Sequence, residues 1–208
     1  MRTLSARLGS EKGFSITELL VALVVVGIIL AAIYSVWFGM QRTYAFTEND
    51  IKAQNEARSA LAEIVELVRT SRQPDTVSSE DLRYVIVTAD DNALTFWADE
   101  DRDASHDLEL VRFRVDETTR TLYRDTSQTG DLTFDSSVRL VGDWLSNGTS
   151  YPLFSYFDAG GTELSTPVTD LLAIRTVGVN LRVDIDTGEA PITHELSSVI
   201  QPRNLRTY

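Results

Sequence analysis

Four aspartates near the middle of the chain follow the spacing of a calcium-binding loop. Positions 1, 3, 5 and 9 of that twelve-residue pattern are occupied by Asp99, Asp101, Asp103 and Asp107. Clustered carboxylates favour a hard cation such as Ca²⁺. However, Ala104 replaces the glycine of position 6, and Leu110 replaces the bidentate glutamate of position 12. The sequence therefore favours a solvated acidic turn between strands, and a calcium site is the alternative.

Side chains suited to nucleophilic or thiolate chemistry are scarce. The chain has no cysteine and only two histidines, His106 and His194, which excludes thiolate and histidine-rich metal sites. Ser155 and His194 could be combined with an aspartate into a triad, but no nucleophile-elbow glycine pattern surrounds any serine. The sequence also lacks a phosphate-binding glycine loop. We therefore predict a protein that is not an enzyme and that needs no cofactor.

A single acid stands at the edge of a long apolar run. Residues 19–40 contain no charged side chain, and Glu18 directly precedes them. This run exceeds the roughly 20 apolar residues that a helix needs to cross a bilayer. An ionised carboxylate costs about 2.5–3.5 kcal/mol at the centre of a membrane helix and less near its end. We therefore expect Glu18 to meet a cationic partner; contact with lipid headgroups is the alternative.

The charges on either side of the apolar run predict its orientation. The residues before it include the basic side chains Arg2, Arg7 and Lys12, whereas Glu48 and Asp50 follow it together with Arg42. The positive-inside rule then places the N-terminus in the cytoplasm and the domain that follows the helix on the other side of the membrane. The formal net charge of −12 repels phosphate backbones, so we expect no nucleic-acid partner.

Helical spacing continues beyond the apolar run. Apolar residues recur on one face at Ile51, Ala57, Leu61, Ile64, Val65 and Val68. The pattern predicts one helix over 14–70, with a transmembrane half at 14–40 and an amphipathic continuation at 41–70. Pro74 lies in the polar segment that ends it.

The remainder of the chain reads as strands and turns. Short β-rich runs occur at 82–87, 93–97, 108–115, 121–124, 177–185 and 192–200. The clearest strand alternates, with one predicted buried face formed by Val177, Val179, Leu181, Val183 and Ile185. The predicted fold class is α+β, with the long N-terminal helix packed on an antiparallel β-sheet domain at 80–208.

The segment at 12–22, with the sequence KGFSITELLVA, resembles the class III signal of type IV pilins and type II secretion pseudopilins. The resemblance implies a pilin-like fold, a leader at 1–13 and cleavage by a prepilin peptidase between Gly13 and Phe14. It further implies methylation of the new N-terminus at Phe14 and pairing of Glu18 with the free amine of a neighbouring subunit. The implied partners are other pilins or pseudopilins, the inner-membrane assembly platform and, before assembly, membrane lipid.

Three weaker motifs are similar to those of W-type minor pilins and J-type minor pseudopilins. They are FWADEDRD at 96–103, FSYFDAGG at 154–161 and PRNL at 202–205. This resemblance implies a minor subunit that joins, or primes, a type IV pilus-like filament at the cell surface. The alternative is a tip subunit of a type II secretion pseudopilus that contacts exported substrates and binds calcium.

Overall fold

One long helix contributes to both compact units of the chain. In a computed structural model, the described residues are 13–75, 79–100, 107–185 and 193–203, without the side chain of Asp81. The first unit ends at Thr47 and the second begins at Glu48. Helix α1 (Ile16–Thr70) passes from one to the other. The predicted helix is therefore confirmed, except that it begins two residues later than expected.

In the first unit, the side chains of α1 are mostly apolar and exposed. Its large apolar side chains up to Met40 are between 48% and 84% exposed. By length and composition, α1 is the one helix in the described part of the chain that could cross a membrane, with a mean hydropathy of 2.9 over its most apolar window. The buried residues of α1 all lie further along, in the second unit.

In the second unit, α1 buries a stripe of mostly small side chains. The stripe consists of Ala53, Ala57, Ala60, Ile64, Leu67 and Val68. The spacing of four and three residues keeps these side chains on one face of the helix. Ile51, which was predicted to belong to the buried stripe, is instead 54% exposed. At about 100° per residue, it points away from Ala53, which occupies the inward position.

Among the described residues, nine strands form two antiparallel sheets where the sequence predicted one. The five-stranded sheet has the order β1-β2-β3-β4-β5, formed by Ile86–Ala89, Ala93–Ala98, Glu109–Asp116, Thr121–Ser127 and Ser136–Val141. The four-stranded sheet has the order β7-β6-β8-β9. Its strands β6 to β9 are Phe154–Phe157, Glu163–Leu164, Thr176–Val183 and His194–Ile200. The fold is α+β and pilin-like, as predicted.

Strand positions agree with the sequence in most cases. Strands β2, β3, β4, β8 and β9 lie at predicted sites, and β8 buries Val177, Val179, Leu181 and Val183 as expected. The run at 82–87 was predicted as a strand, but a 3₁₀ turn (Glu80–Leu82) precedes a strand that begins only at Ile86. Strands β5, β6 and β7 were not predicted.

Both sheets pack on the second-unit part of α1 through one hydrophobic cluster. Three acids of α1 connect the helix to the sheets at intervals along its length. Asp50 contacts His194 of β9, with 2.7 Å between Oδ1 and Nε2. Glu56 accepts hydrogen bonds from the Trp144 indole at 2.9 Å and from the backbone of Gly142 at 3.0 Å. These contacts fix the axial position of α1 relative to the two sheets.

The third acid, Glu63, pairs with an arginine of β4. Arg124 contacts Glu63 through Nη1 and Glu100 through Nη2, the latter at 2.7 Å. The Arg124 side chain is only 17% exposed, so this bridge lies largely between helix and sheet. Partial burial strengthens such contacts because water screens them less.

Candidate processing and assembly site

The predicted cleavage site lies in a short segment without regular structure. Gly13, Phe14 and Ser15 precede the helix and are exposed, Phe14 to 82%. A Cβ atom on Gly13 would meet nothing within 4 Å. The fold therefore does not require glycine at position 13, and a substitution there can report on processing without disturbing the helix.

The N-terminus of α1 is closed by a capping box formed by Ser15 and Glu18. The backbone N–H of Glu18 donates to Ser15 Oγ at 3.2 Å, and the backbone N–H of Ser15 donates to Glu18 Oε2 at 3.4 Å. Two N–H groups that the helix leaves unpaired are thus satisfied reciprocally. The Glu18 carboxylate also lies at the positive end of the helix dipole, which stabilises its charge.

The capping box holds the Glu18 carboxylate next to the backbone nitrogen of Ser15, the residue that directly follows Phe14. Glu18 is exposed, and among the described residues its carboxylate contacts Ser15 and no cationic side chain. The hydrogen bond that the Ser15 N–H donates to the Glu18 carboxylate is long, at 3.4 Å. A stronger donor can therefore displace the Ser15 N–H. A charged amine is such a donor, because charge-assisted hydrogen bonds are about twice as strong as neutral ones.

Sequence reasoning missed Ser15 as a functional residue. The signal was present, because Ser15-Ile16-Thr17-Glu18 has the S-x-x-E spacing of a capping box directly before an apolar run. The Ser15 hydroxyl also lies 2.9 Å from Thr17 Oγ1. All three polar side chains at the start of α1 therefore take part in one hydrogen-bonded group.

One face of the exposed helix is lined by small residues. They recur every fourth position at Gly27, Ala31, Ser35 and Gly39. The Ser35 hydroxyl donates to the carbonyl of Ala32 at 2.8 Å, so it needs no partner from lipid. Small residues at this spacing let a second helix approach closely in a membrane.

The structure describes only part of the proposed calcium loop. Asp99 and Asp107 are described, whereas Asp101 and Asp103 lie outside the described residues. Next to the loop, Glu109 is 3% exposed and its Oε2 accepts the backbone N–H of Glu100 at 2.7 Å. The described residues contain no group of three acids or histidines that could hold a metal. The calcium site stays a prediction.

The structure does not bring Ser155 and His194 together. Ser155 pairs with Gly178 of β8, whereas His194 pairs with Val183 at the far end of the same strand. Five residues along a strand correspond to roughly 16 Å. His194 is instead engaged by Asp50 and by Gln54, whose Nε2 lies 3.0 Å from His194 Nε2. No triad is formed by these residues.

Comparison with known families bears on the N-terminal segment. Residues 8–34 match the family model of the prokaryotic N-terminal methylation motif. The matched range includes Gly13, Phe14, Ser15 and Glu18 together with the first part of the exposed helix. None of the curated proteins compared with the chain matches it significantly. The chain thus carries an N-terminal methylation motif at the start of an α+β pilin-like fold, which supports its relationship to type IV pilins and pseudopilins.

Proposed function

We propose that this protein is a minor pilin or pseudopilin, a structural subunit without catalytic activity. It enters the inner membrane with its N-terminus in the cytoplasm, and a prepilin peptidase cuts it between Gly13 and Phe14. Phe14 is then methylated, and the subunit joins or primes a filament of related subunits. The observation that carries the proposal is the methylation motif at 8–34, whose residues from Ile16 onward form the exposed apolar part of α1.

The exposed helix supplies the driving force for assembly. Residues 14–40 lie in lipid before assembly and pack against the equivalent helices of neighbouring subunits afterwards. Small residues on one face allow close helix contacts, and dispersion forces then stabilise the bundle. The apolar side chains are already bare in the single chain, so assembly of this segment requires no unfolding.

Glu18 fixes the axial register between the helices of neighbouring subunits. Cleavage after Gly13 turns the backbone nitrogen of Phe14 into a charged amine, and Glu18 of the next subunit pairs with it. The pair neutralises a charge that is costly in an apolar bundle and fixes the axial position of one helix against another. In the single chain, the long bond from Ser15 N–H holds the carboxylate until that amine arrives.

Processing is tested by substituting Gly13. We expect the Gly13→Ala chain to stay uncut in cells that contain the peptidase, and wild type to lose residues 1–13 and gain one methyl group on Phe14. Mass spectrometry of membrane extracts measures both. Gly27→Ala is the matched control, because Gly27 also has open space around it and lies beyond the cut. A Gly13→Ala chain of the same size as wild type would refute the processing step.

Assembly is tested by substituting Glu18. We expect Glu18→Ala to be cut normally, yet to be recovered in membranes instead of sheared filaments. Glu48→Ala serves as the control, because it removes an acid from the exposed surface of the same helix. Co-purification of the mature chain then identifies the leader-bearing subunits that accompany it. Normal filament incorporation of Glu18→Ala would contradict the assigned role.

A second candidate function is a pseudopilus tip subunit that binds calcium and contacts exported substrates. The observation that favours it is the buried carboxylate of Glu109 beside the loop that carries Asp99 and Asp107. Calcium should raise the thermal midpoint of the full chain, and Asp107→Asn should remove that shift. Mg²⁺ is the control ion. An unchanged midpoint in Ca²⁺ would dispose of this candidate and leave the pilin assignment intact.

A further inference from the structure

Each of the two sheets ends in an open edge strand. β5 is the last strand of the five-stranded sheet, and β9 is the last strand of the four-stranded sheet. Residues 136–139 of β5 are exposed, and Val199 of β9 is 73% exposed. Among the described residues, no backbone hydrogen bond reaches the outer side of either strand. Such edges can pair with a strand from another chain.

The segments 136–139 of β5 and 195–198 of β9 contain no bulge, and the charged residues in them are Arg139 and Glu195. β9 is paired with β8 over seven consecutive residues without a shift in register. In β5, the register is regular from Ser136 to Arg139 and shifts only beyond that. Neither strand contains proline or lysine. Edge segments that are regular and contain no proline or lysine are open to pairing.

We infer that β5 of one copy pairs antiparallel with β9 of a second copy. The four residues 136–139 lie opposite 198–195, so that the two sheets join into one. This register keeps like faces together. Arg139 and Ser137 lie on the same sheet face as the buried Asp125 side chain that Ser137 contacts, which is the face away from α1. Glu195 and Ser197 likewise lie on the outer face of β9, since their partners on β8 are the outward Arg182 and Asn180.

The same register matches side chains in charge and polarity. It places Arg139 opposite Glu195, Val138 opposite Leu196, and serine opposite serine at the two remaining positions. Arg139 is available, because the acid that it contacts among the described residues, Asp143, lies 4.0 Å away and both side chains are more than half exposed. Glu195 is 52% exposed; its Oε1 accepts a hydrogen bond from Asn180 at 2.7 Å, and its Oε2 lies 3.9 Å from Arg182 Nε and can accept a closer partner. Opposite charges directly across a strand pair stabilise it.

Two contacts fix the direction of β5 along α1. Glu63 contacts Arg124, which is the neighbour of Val138, whereas Glu56 contacts Gly142 just after β5. β5 therefore runs against α1. β9 begins beside Asp50, near the start of the second-unit helix.

The contact joins two different surfaces, so it repeats. A copy that offers β9 to one neighbour still offers β5 to the next, and head-to-tail contacts of this kind build chains or rings. The pairing depends on the folded second unit alone. It does not require cleavage at Gly13 or the pairing of Glu18, so a negative result would leave the proposed processing and helix assembly untouched.

Engineered disulfides test the pairing directly, because the chain has no cysteine of its own. Full-length Ser136→Cys and Ser198→Cys chains, carrying tags of different size, are mixed in detergent and oxidised. Opposed positions on paired strands have Cβ atoms about 5 Å apart, which is close to the disulfide range. We expect the mixed dimer of these two variants to form in preference to either self-dimer.

The matched control shifts the register by one residue. Ser197→Cys lies on the other face of β9, so its mixed dimer with Ser136→Cys should be roughly tenfold less abundant, because a one-residue slip reverses the side-chain face. Equal yields from both mixtures, or none from either, would overturn the inference. As a second measurement without cysteine, Arg139→Glu should lower the dimer fraction seen by analytical ultracentrifugation in detergent, and adding Glu195→Arg should restore it. Failure of that restoration would also overturn the inference.

Discussion

The backbone N–H of Glu18 lies 3.2 Å from the hydroxyl of Ser15, and the Glu18 carboxylate returns a bond to the N–H of Ser15. The acid that is proposed to select a neighbouring subunit is therefore also part of its own helix start. An N-terminal cap of this type stabilises a helix by about 1 kcal/mol. In a single chain, Glu18 is thus held in place before any partner is present.

The first prediction concerns this cap. Ser15→Ala removes the acceptor for the Glu18 N–H, so hydrogen exchange at that amide should accelerate roughly fivefold, the equivalent of about 1 kcal/mol. Ser15→Thr keeps a hydroxyl and should exchange at nearly the wild-type rate. NMR of the full chain in detergent measures both. Equal exchange in Ser15→Ala and Ser15→Thr would show that the hydroxyl does not cap the helix.

The second prediction concerns the bridge between α1 and β4. Arg124→Met keeps the apolar stem of the side chain but leaves the carboxylates of Glu63 and Glu100 without their shared cation. We expect the free energy of unfolding to fall by about 2 kcal/mol, because charged hydrogen bonds that are partly buried are lost. Urea unfolding measures the change. Arg58→Met on the exposed side of α1 is the control and should leave the midpoint unchanged.

The sequence predicted those features that depend on residues close together in the chain. The helix follows from apolar spacing, and the cleavage and methylation motif lies within a few residues around Gly13. β8 follows from strict alternation, which continues from Val177 to Val183. In each case, the physical cause lies within the element itself, so a single sequence suffices.

The features that the sequence did not predict depend on distant partners. β5 has exposed side chains on both faces at 136–139, so it lacks the alternation that identifies a half-buried strand. β7 has only two residues and exists because Tyr156 and Phe157 pair with it. Ile51 has the polarity of a buried residue, but the position of the sheets decides that Ala53 faces inward. Such choices are made by tertiary packing.

The third prediction concerns the close approach of β6 and β8. A Cβ atom on Gly178 would collide with Ser155 Oγ, far inside contact distance. Gly178→Ala should therefore lower the free energy of unfolding by about 1–3 kcal/mol through overpacking. Adding Ser155→Ala removes the colliding oxygen, and the double variant should recover most of the loss in urea unfolding.

Ser155→Ala alone is the control for this pair. It should unfold like wild type and assemble normally, because Ser155 has a packing position beside Gly178 and no contact with His194. If the double variant is no more stable than Gly178→Ala, the steric explanation is wrong. If Ser155→Ala abolishes function without altering stability, the non-enzymatic assignment would have to be reconsidered.

The fourth prediction concerns the pH dependence of stability through Asp125. Burial on its own raises the pKa of Asp125, whose side chain is 3% exposed. Hydrogen bonds from Ser137 Oγ at 2.6 Å, Arg114 Nε at 2.7 Å and Arg112 Nη2 at 2.7 Å outweigh that effect, and the net pKa of Asp125 is lowered. The folded state therefore favours the ionised carboxylate.

This direction fixes the sign of the pH effect. An aspartate whose pKa is lowered by folding contributes its full stability above the unfolded value of about 3.9 and loses it as the pH falls through the folded value. Asp125→Asn should cost about 2–3 kcal/mol at neutral pH, because charged hydrogen bonds to two arginines are weakened. The difference in the free energy of unfolding between Asp125→Asn and wild type should become smaller below about pH 4. Urea unfolding at neutral pH and at about pH 3 measures both values.

Asp143→Asn is the matched control for this titration. Its side chain is 78% exposed and lies 4.0 Å from its nearest arginine, so its removal should change stability little at either pH. A difference between Asp125→Asn and wild type that stays constant across the acidic range would show that ionisation of Asp125 is not what stabilises the five-stranded sheet. If the difference in the free energy of unfolding between Asp143→Asn and wild type also becomes smaller at low pH, the pH effect comes from overall charge. Both substitutions remove one acid from an already acidic protein.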